Sequence, residues 1–373
     1  MRSDFVEPRY EDLTLANLLP SVMATLDATT PIIALPRARR YVLLLVDGLG
    51  WHQLLEFGDH AETMSRLARG APRLTCSVPS TTATSLTSLG CGVPTGEHGI
   101  VGYTFFEPSV SRVINALTWE GGPEDLGTFA QTPTLFQRLA SAGRGSAAVT
   151  LGRFAGSALT RLAFGGSTLF PVAVEGAPAE FSGLVLEALD AAEVVYCYER
   201  MLDHDGHGHG VGSWQWLERL AMVDDLVTHL VETLPADVCL LVTGDHGMVN
   251  VPSGSRVVAE DEPRLAGYSF LGGEPRFRHI HGEDPRALAW AWESVLGERA
   301  HVLRRDEAIE AGWFGPQVTG LSAARIGDVV AAMTSDYAVM SRQSPGEFSL
   351  VGMHGSLTAA EMEVPLLMHG GDR

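Results

Sequence analysis

The stretch YVLLLVDGLGW, residues 41–51, decides the fold. Its first six residues are apolar or aromatic, without polar alternation, and they stop at an aspartate followed by glycine. A short continuous run of this kind predicts a strand buried on both faces, as inside a parallel sheet. EVVYCY (193–198) and VCLLVT (238–243) repeat the pattern, and each ends in a polar, glycine-rich segment. Between them lie helical patterns such as SWQWLERLAMVDDLVTHLVETL (213–234), where apolar residues recur at spacings of three and four. Strands alternating with helices predict an α/β fold, a mostly parallel central sheet with helices on both faces. In such sheets ligands bind beyond the carboxyl ends of the strands. Asp47, Asp203 and Asp245 each fall shortly after one of these strands.

Residues 253–345 change character, with PSGS, GGEP and RFRHIHGEDP between shorter elements. They are expected to form an inserted cap region, leaving 1–252 and 346–373 as the core. The chain has 373 residues, 45% hydrophobic and 19% charged, with a formal net charge of −19. That charge repels nucleic acid polymers and anionic membranes, while a small anionic substrate could enter beside bound cations. All 26 basic residues are arginine. The absence of lysine excludes Schiff-base catalysis, a pyridoxal phosphate anchor and a P-loop lysine. Cys76, Cys91, Cys197 and Cys239 form no C-x-x-C pair and read as small buried hydrophobes. The opening MRSDFVEPRYEDL lacks the apolar centre of a signal peptide, and no run approaches the length of a membrane span, so a cytoplasmic location is expected.

VDGLGW (46–51), LDHDGHGHG (202–210), TGDHGM (243–248) and GMHGS (352–356) together offer Asp47, Asp203, His207, Asp245, His246 and His354. Carboxylate and imidazole donors without cysteine suit zinc or another divalent first-row ion, and this many ligands is enough for two ions. Asp203 and His207 are four residues apart, so one turn aims both at one ion, although the glycines argue against a regular helix there. His204, Asp205 and His209 compete for that role and read as exposed neighbours or as groups that orient the ligands. Asp245 and His246 are adjacent and can share an ion only if the backbone turns, which Gly244 and Gly247 permit. His52, His60, His98, His229, His279 and His281 read as structural or surface residues. CSVPSTTATSLTSLGCGVPTGEHGIVGY (76–103) is crowded with hydroxyls. Such residues serve turns and helix caps; alternatively one of them, metal-bound and deprotonated, attacks a phosphorus or sulfur centre. A short helix is expected to start near Thr82, with free N–H groups that favour an anion.

Taken in order, VDGLG, the hydroxyls with SLTSLGCGVPTGEHGI, the D-x-x-G-H of 203–207, GDHGM and the late HG resemble the alkaline phosphatase superfamily. Within it the resemblance is to the nucleotide pyrophosphatase/phosphodiesterase family, over residues 40–367. It implies Thr82 as nucleophile, with Thr81 as the alternative. It implies one ion on Asp47, Thr82, Asp245 and His246 and another on Asp203, His207 and His354, both usually zinc. The implied reaction is hydrolysis of a small phosphodiester, pyrophosphate or nucleotide through a phospho-threonine. The chain departs from the family pattern in two places. Thr82-Ala83-Thr84-Ser85 stands where the family reads Thr-x-Pro-Asn, and Tyr103 stands where the family places an asparagine that contacts the phosphoryl oxygen. Phosphomonoester or phosphonate hydrolysis on the same scaffold is an alternative reading, and so is a catalytically silent metal-binding module. A sulfatase would need Cys or Ser followed by Pro and Arg at the nucleophile, which Thr82-Ala83-Thr84-Ser85 lacks. With no arginine beside Thr82 in sequence, a monoester dianion exceeds the available positive charge, which favours a diester. Arg73, Arg153, Arg161 and Arg276 are the arginines that folding could bring in.

Overall fold

β1 (Arg40–Val46) lies inside a seven-stranded sheet, and every residue from Tyr41 to Val46 is closed to solvent. The computed structural model describes residues 5–129 and 132–372. The other strands are β2 (Arg73–Thr75), β3 (Ser146–Leu151), β4 (Thr168–Val172), β5 (Val194–Glu199), β6 (Val238–Gly244) and β7 (Glu363–His369). Their order is β2-β7-β6-β1-β5-β3-β4. The run from β6 to β4 is parallel, whereas β7 is antiparallel to both β6 and β2.

Burial on both faces follows from the helices. Tyr41, Leu43 and Leu45 share one core with Leu86 and Leu89 of α1 (Thr82–Cys91) and Leu159 and Leu162 of α2 (Ala158–Phe164). Val42, Leu44 and Val46 share the opposite core with α3 (Pro178–Leu189) and α5 (Trp214–Thr233); α4 (Met201–His209) precedes α5. In α5 the buried residues Trp216, Leu220, Val223, Val227 and Leu230 form one stripe, and the Ser213 hydroxyl caps the helix by accepting the Trp216 N–H. α1 and α2 meet backbone to backbone: a Cβ at Gly90 would lie 1.8 Å from the Ala163 carbonyl oxygen.

Strands 270–274, 277–281, 329–333 and 300–304 pair in that order as a second, antiparallel sheet. Helix Pro285–Leu296 covers it, with Leu288, Trp292 and Leu296 packed against Ile280 and Val329. We propose 253–345 as one insert between β6 and β7. Hairpin 104–115 lies in the span read as core, yet it packs on this insert: the Phe106 ring is 4.6 Å from that of Phe270, and the Thr104 hydroxyl donates to the Gly273 carbonyl at 2.7 Å. Alternation explains the position, because Phe105 is fully buried in the main core while Phe106 faces the other way. All four cysteines are buried and free. Among the described residues, no helix is long and apolar enough to cross a membrane.

Candidate active site

Val46 registers with Glu199 of β5 and with Gly244 of β6, so three chains leave the sheet side by side. Asp47 and Asp245 are the next residues on two of them, and Asp203 follows on the third within α4. Gly48 has φ +76°, and a Cβ there would lie 3.0 Å from the Asp203 Cα. Glycine at this turn therefore lets the end of β1 press against α4. The expectation that glycines would keep 202–210 out of a regular helix is corrected here, since Met201–His209 is helical. Packing overrides propensity: Gly206 sits where a Cβ would meet the Met248 sulfur at 2.5 Å, so the small residue is what allows the helix to dock.

Asp47 and Asp245 each have one oxygen occupied and one without a hydrogen-bond partner. Asp47 Oδ2 accepts the Tyr198 hydroxyl, and Asp245 Oδ1 accepts the Gly48 and His246 N–H groups, each at 3.0 Å. Asp47 Oδ1, Asp245 Oδ2 and Asp203 Oδ1 are buried and unpartnered. The histidines are equally consistent. His246, His207 and His354 each bring Nδ1 to a backbone carbonyl, of Gly247 at 2.9 Å, Gly352 at 2.8 Å and Ser80 at 2.8 Å. A carbonyl can only accept, so Nδ1 carries the proton and Nε2 is bare. Those bare nitrogens face carboxylates: His246 Nε2 is 3.5 Å from Asp47 Oδ1 and from Asp245 Oδ2, and His354 Nε2 is 3.8 Å from Asp203 Oδ1. His207 Nε2 is 3.4 Å from Asp203 Oδ2.

Acceptor atoms of acids and imidazoles converging on one point in this way are the signature of a cation site. Ligand atoms of Asp47, Asp245 and His246, and separately of Asp203, His246 and His354, lie within 4.8 Å of one another. The electrostatics agree. Burial, with Asp245 and Asp203 nearby, holds Asp47 well above the ordinary carboxylate range, and burial likewise raises Asp245. Burial and the neighbouring His246 and His207 hold His354 neutral. These residues thus fit divalent ions, which would relieve the mutual repulsion of the acids.

Thr82 is the first residue of α1, and its Oγ1 lies 3.3 Å from His246 Nε2. The N–H groups of Thr82, Ala83 and Thr84 have no acceptor among the described residues, so the positive end of α1 opens beside the acids. Thr81 has a different role as the N-cap residue of α1, and its carbonyl accepts from the Ser85 N–H. Thr82 and Asp47 also line a cavity of about 270 Å³ whose walls include Leu86, Phe154, Phe164, Tyr196 and Tyr198.

Tyr103 is half-buried just before the hairpin and is not among the residues that line this cavity. Arg276 and Arg73 are committed to Glu361 and Glu363, and Arg153 to Glu175. Arg161 on α2 does not line the cavity either. The arginine that does is Arg200, itself paired with Glu175 at 2.8 Å. Sequence reasoning passed over Arg200, Tyr196 and Tyr198. The alternation of the two tyrosines at the end of a strand was the available signal, since it puts both on one face. Of the competing ligands, Asp205 pairs with Arg219, His209 is exposed and meets Gln215, and exposed His204 lines the cavity. His98 and His279 are buried and hydrogen-bonded away from the site, to Ser88 and to the Val101 carbonyl.

A doubly covered, mostly parallel sheet with acids, histidines and a hydroxyl at the start of a helix along its carboxyl edge carries the site of a hydrolase acting on phosphoric ester bonds, as the family match shows. Residues 41–357 match the family model described as type I phosphodiesterase / nucleotide pyrophosphatase, and the chain belongs to that family, within the alkaline phosphatase superfamily. Among solved structures it is similar to murine ectonucleotide pyrophosphatase / phosphodiesterase 5, with 19% identity and TM-score 0.70 over 89% of this chain and 88% of that one. The human form gives 15% and 0.68 over the same shares of the two chains, 89% and 88%. Phosphonoacetate hydrolase from Sinorhizobium meliloti 1021, solved with phosphonoformate, gives 19% and 0.66 over 90% and 91%. No match to the chain was found among curated proteins.

Proposed function

We propose that the protein is a metal-dependent phosphodiesterase or nucleotide pyrophosphatase that works through a phospho-threonine on Thr82. The observation that carries this reading is the Thr82 hydroxyl, 3.3 Å from a bare His246 nitrogen, beside buried acids with unpartnered oxygens. Asp47, Thr82, Asp245 and His246 would hold one divalent ion, and Asp203, His207 and His354 the other. His246 also stands within ligand range of Asp203 and His354. Oxygen and nitrogen donors without sulfur suit zinc. When bound, the ions supply positive charge against phosphoryl oxygens and a lowered pKa for a coordinated hydroxyl.

The chain's own residues do the rest. The free N–H groups of the first turn of α1 receive a phosphoryl oxygen, and Thr82, on that same turn, attacks phosphorus. The bond from phosphorus to the leaving oxygen breaks as the threonine ester forms, and water then cleaves that ester. The cavity beside Thr82 would take the organic substituent of the substrate. Its walls are mainly apolar and aromatic, and the one arginine that lines it among the described residues, Arg200, is already paired with Glu175. An extra anionic group would find little there to neutralise it, so a diester monoanion suits the site better than a monoester or a carboxylated phosphonate. An inactive variant of the murine relative was solved with AMP, which supports a nucleotide as the substituent tested first.

Purified protein would be assayed on p-nitrophenyl thymidine monophosphate, bis-p-nitrophenyl phosphate, p-nitrophenyl phosphate, phosphonoacetate and p-nitrophenyl sulfate, with zinc and with chelator. Chelator-sensitive preference for the nucleotide diester is the expected result. Preference for the monoester, phosphonoacetate or the sulfate would keep the metal site and overturn the substrate class. Turnover that survives exhaustive chelation would overturn the metal reading.

A further inference from the structure

We infer that Tyr198 is a positioning residue that fixes which oxygen of Asp47 faces the metal, an inference that rests on the metal-dependent reading above. Asp47 and Asp245 flank His246 Nε2 at the same distance, 3.5 Å, and each offers it one unpartnered oxygen. They are held in that pose by different means. The spare oxygen of Asp245 is fixed by two backbone N–H groups, of Gly48 and His246. That of Asp47 takes its hydrogen bond from a side chain, the Tyr198 phenol, which must be the donor because the carboxylate can only accept.

Register explains why this tyrosine can reach. Tyr198 stands opposite Leu45 on the neighbouring strand, one residue before β5 ends, close to where Asp47 leaves β1. The ring is held by its neighbours: it stacks parallel to Tyr196, with centroids 6.5 Å apart, and approaches Phe154 at 6.2 Å. Tyr196 is in turn stacked on Phe164 at 4.0 Å. A phenol fixed from behind by packing is a stiff clamp. Without it, both oxygens of Asp47 would be free, and the carboxylate could rotate or chelate through both.

Tyr198 also lines the substituent cavity, so one ring forms the cavity wall and aims a metal ligand. A substituent that moved the ring would disturb Asp47 as well. Hydrogen-bond partners of this kind, one step removed from the ion, typically change metal affinity by about 10–100-fold when deleted.

The test is Tyr198→Phe, which keeps the ring and removes only the hydroxyl, with Tyr196→Phe as the matched control. Zinc affinities would be measured on chelator-treated protein by competition with a chromophoric chelator, and Co²⁺ absorption spectra would be recorded at two equivalents. In Tyr198→Phe one of two sites is expected to weaken about 10–100-fold, with a changed Co²⁺ band and an unchanged second site. Tyr196→Phe is expected to match the unaltered protein in both readouts. Affinities within about twofold of the unaltered protein at both sites, or equal losses in the two variants, would overturn the inference while leaving the metal reading intact. If the unaltered protein itself bound no divalent ion, the metal reading would fall, and this inference with it.

Discussion

Glu361, Glu347 and Glu107 are about as buried as Asp47 and Asp245, yet their surroundings are opposite. Each of these glutamates meets an arginine: Glu361 is held by Arg276 through two contacts at 3.0 and 2.6 Å, Glu347 by Arg278, and Glu107 by Arg325 at 2.7 Å. Backbone or hydroxyl donors add to them, as Ser356 N–H and Thr358 do on Glu361. Asp47, Asp203 and Asp245, at the carboxyl edge of the sheet, meet no arginine among the described residues. They face one another and bare imidazole nitrogens, with an oxygen each left over. The chain therefore pairs these three glutamates with arginines where the insert meets the core, Glu274 being the exception, and leaves Asp47, Asp203 and Asp245 without an arginine where the sheet ends. Desolvating an acid is costly in either place, so several unpaired acids gathered around bare imidazole nitrogens mark where a cation belongs.

The largest expected effect tests the unpaired side. Thr82→Ala should lower turnover of the preferred diester by roughly 10³-fold or more while zinc content, measured by elemental analysis, stays at the unaltered level. A variant that kept its activity would move the nucleophile elsewhere, with Thr81 next in line. The paired side breaks differently. Arg276→Met strands a fully buried Glu361, and urea unfolding should register a loss of about 3–5 kcal/mol.

Asp245→Asn sharpens the contrast because its sign depends on metal. In chelated protein the amide would keep accepting from Gly48 and could donate to His246 Nε2, and repulsion among the acids would fall. Thermal or urea unfolding should then find the variant more stable, on the order of 2 kcal/mol. With saturating zinc the order should reverse, since a ligand is lost. The last effect is read as a pH slope and concerns Glu274, whose two oxygens are buried and whose pKa burial pushes up to about 8 despite the nearby Thr81 hydroxyl and Arg278. Such a group favours the folded state while protonated, and that contribution fades as pH rises from the unfolded value, about 4.3, through the folded one. Glu274→Gln cannot ionise. Its stability relative to the unaltered protein should therefore climb between pH 5 and pH 9, by up to about 4 kcal/mol for a shift of that size, and a flat difference would mean Glu274 is charged or solvated.

Legibility in the sequence followed the range of the interaction. YVLLLV announced a doubly buried strand because six adjacent residues carry the information, and Asp47, Asp203 and Asp245 were visible because each follows such a run closely. The start of α1 at Thr82 was visible for the same local reason. The helix at 201–209 was misread because its stability comes from Met248 and Trp216 packing on Gly206, not from its own glycine-rich composition. Arg276 and Glu361 lie 85 positions apart, so nothing near either one announces the pair. Tyr198 was hidden in another way: in a strand an aromatic reads as core, and only the register with β1 turns it toward Asp47.

The contact at Gly90 bears on how such a protein can change over generations. α1 carries Thr82 at one end and touches the Ala163 carbonyl through Gly90, while α2 lends Leu159 and Phe164 to the cavity wall. With the two backbones packed this closely, neither helix can drift to enlarge the cavity without moving the Thr82 hydroxyl relative to His246. Substrate range in this lineage should accordingly diversify by exchanging single side chains along α2, with residue 90 held at glycine and the helix axes inherited unchanged.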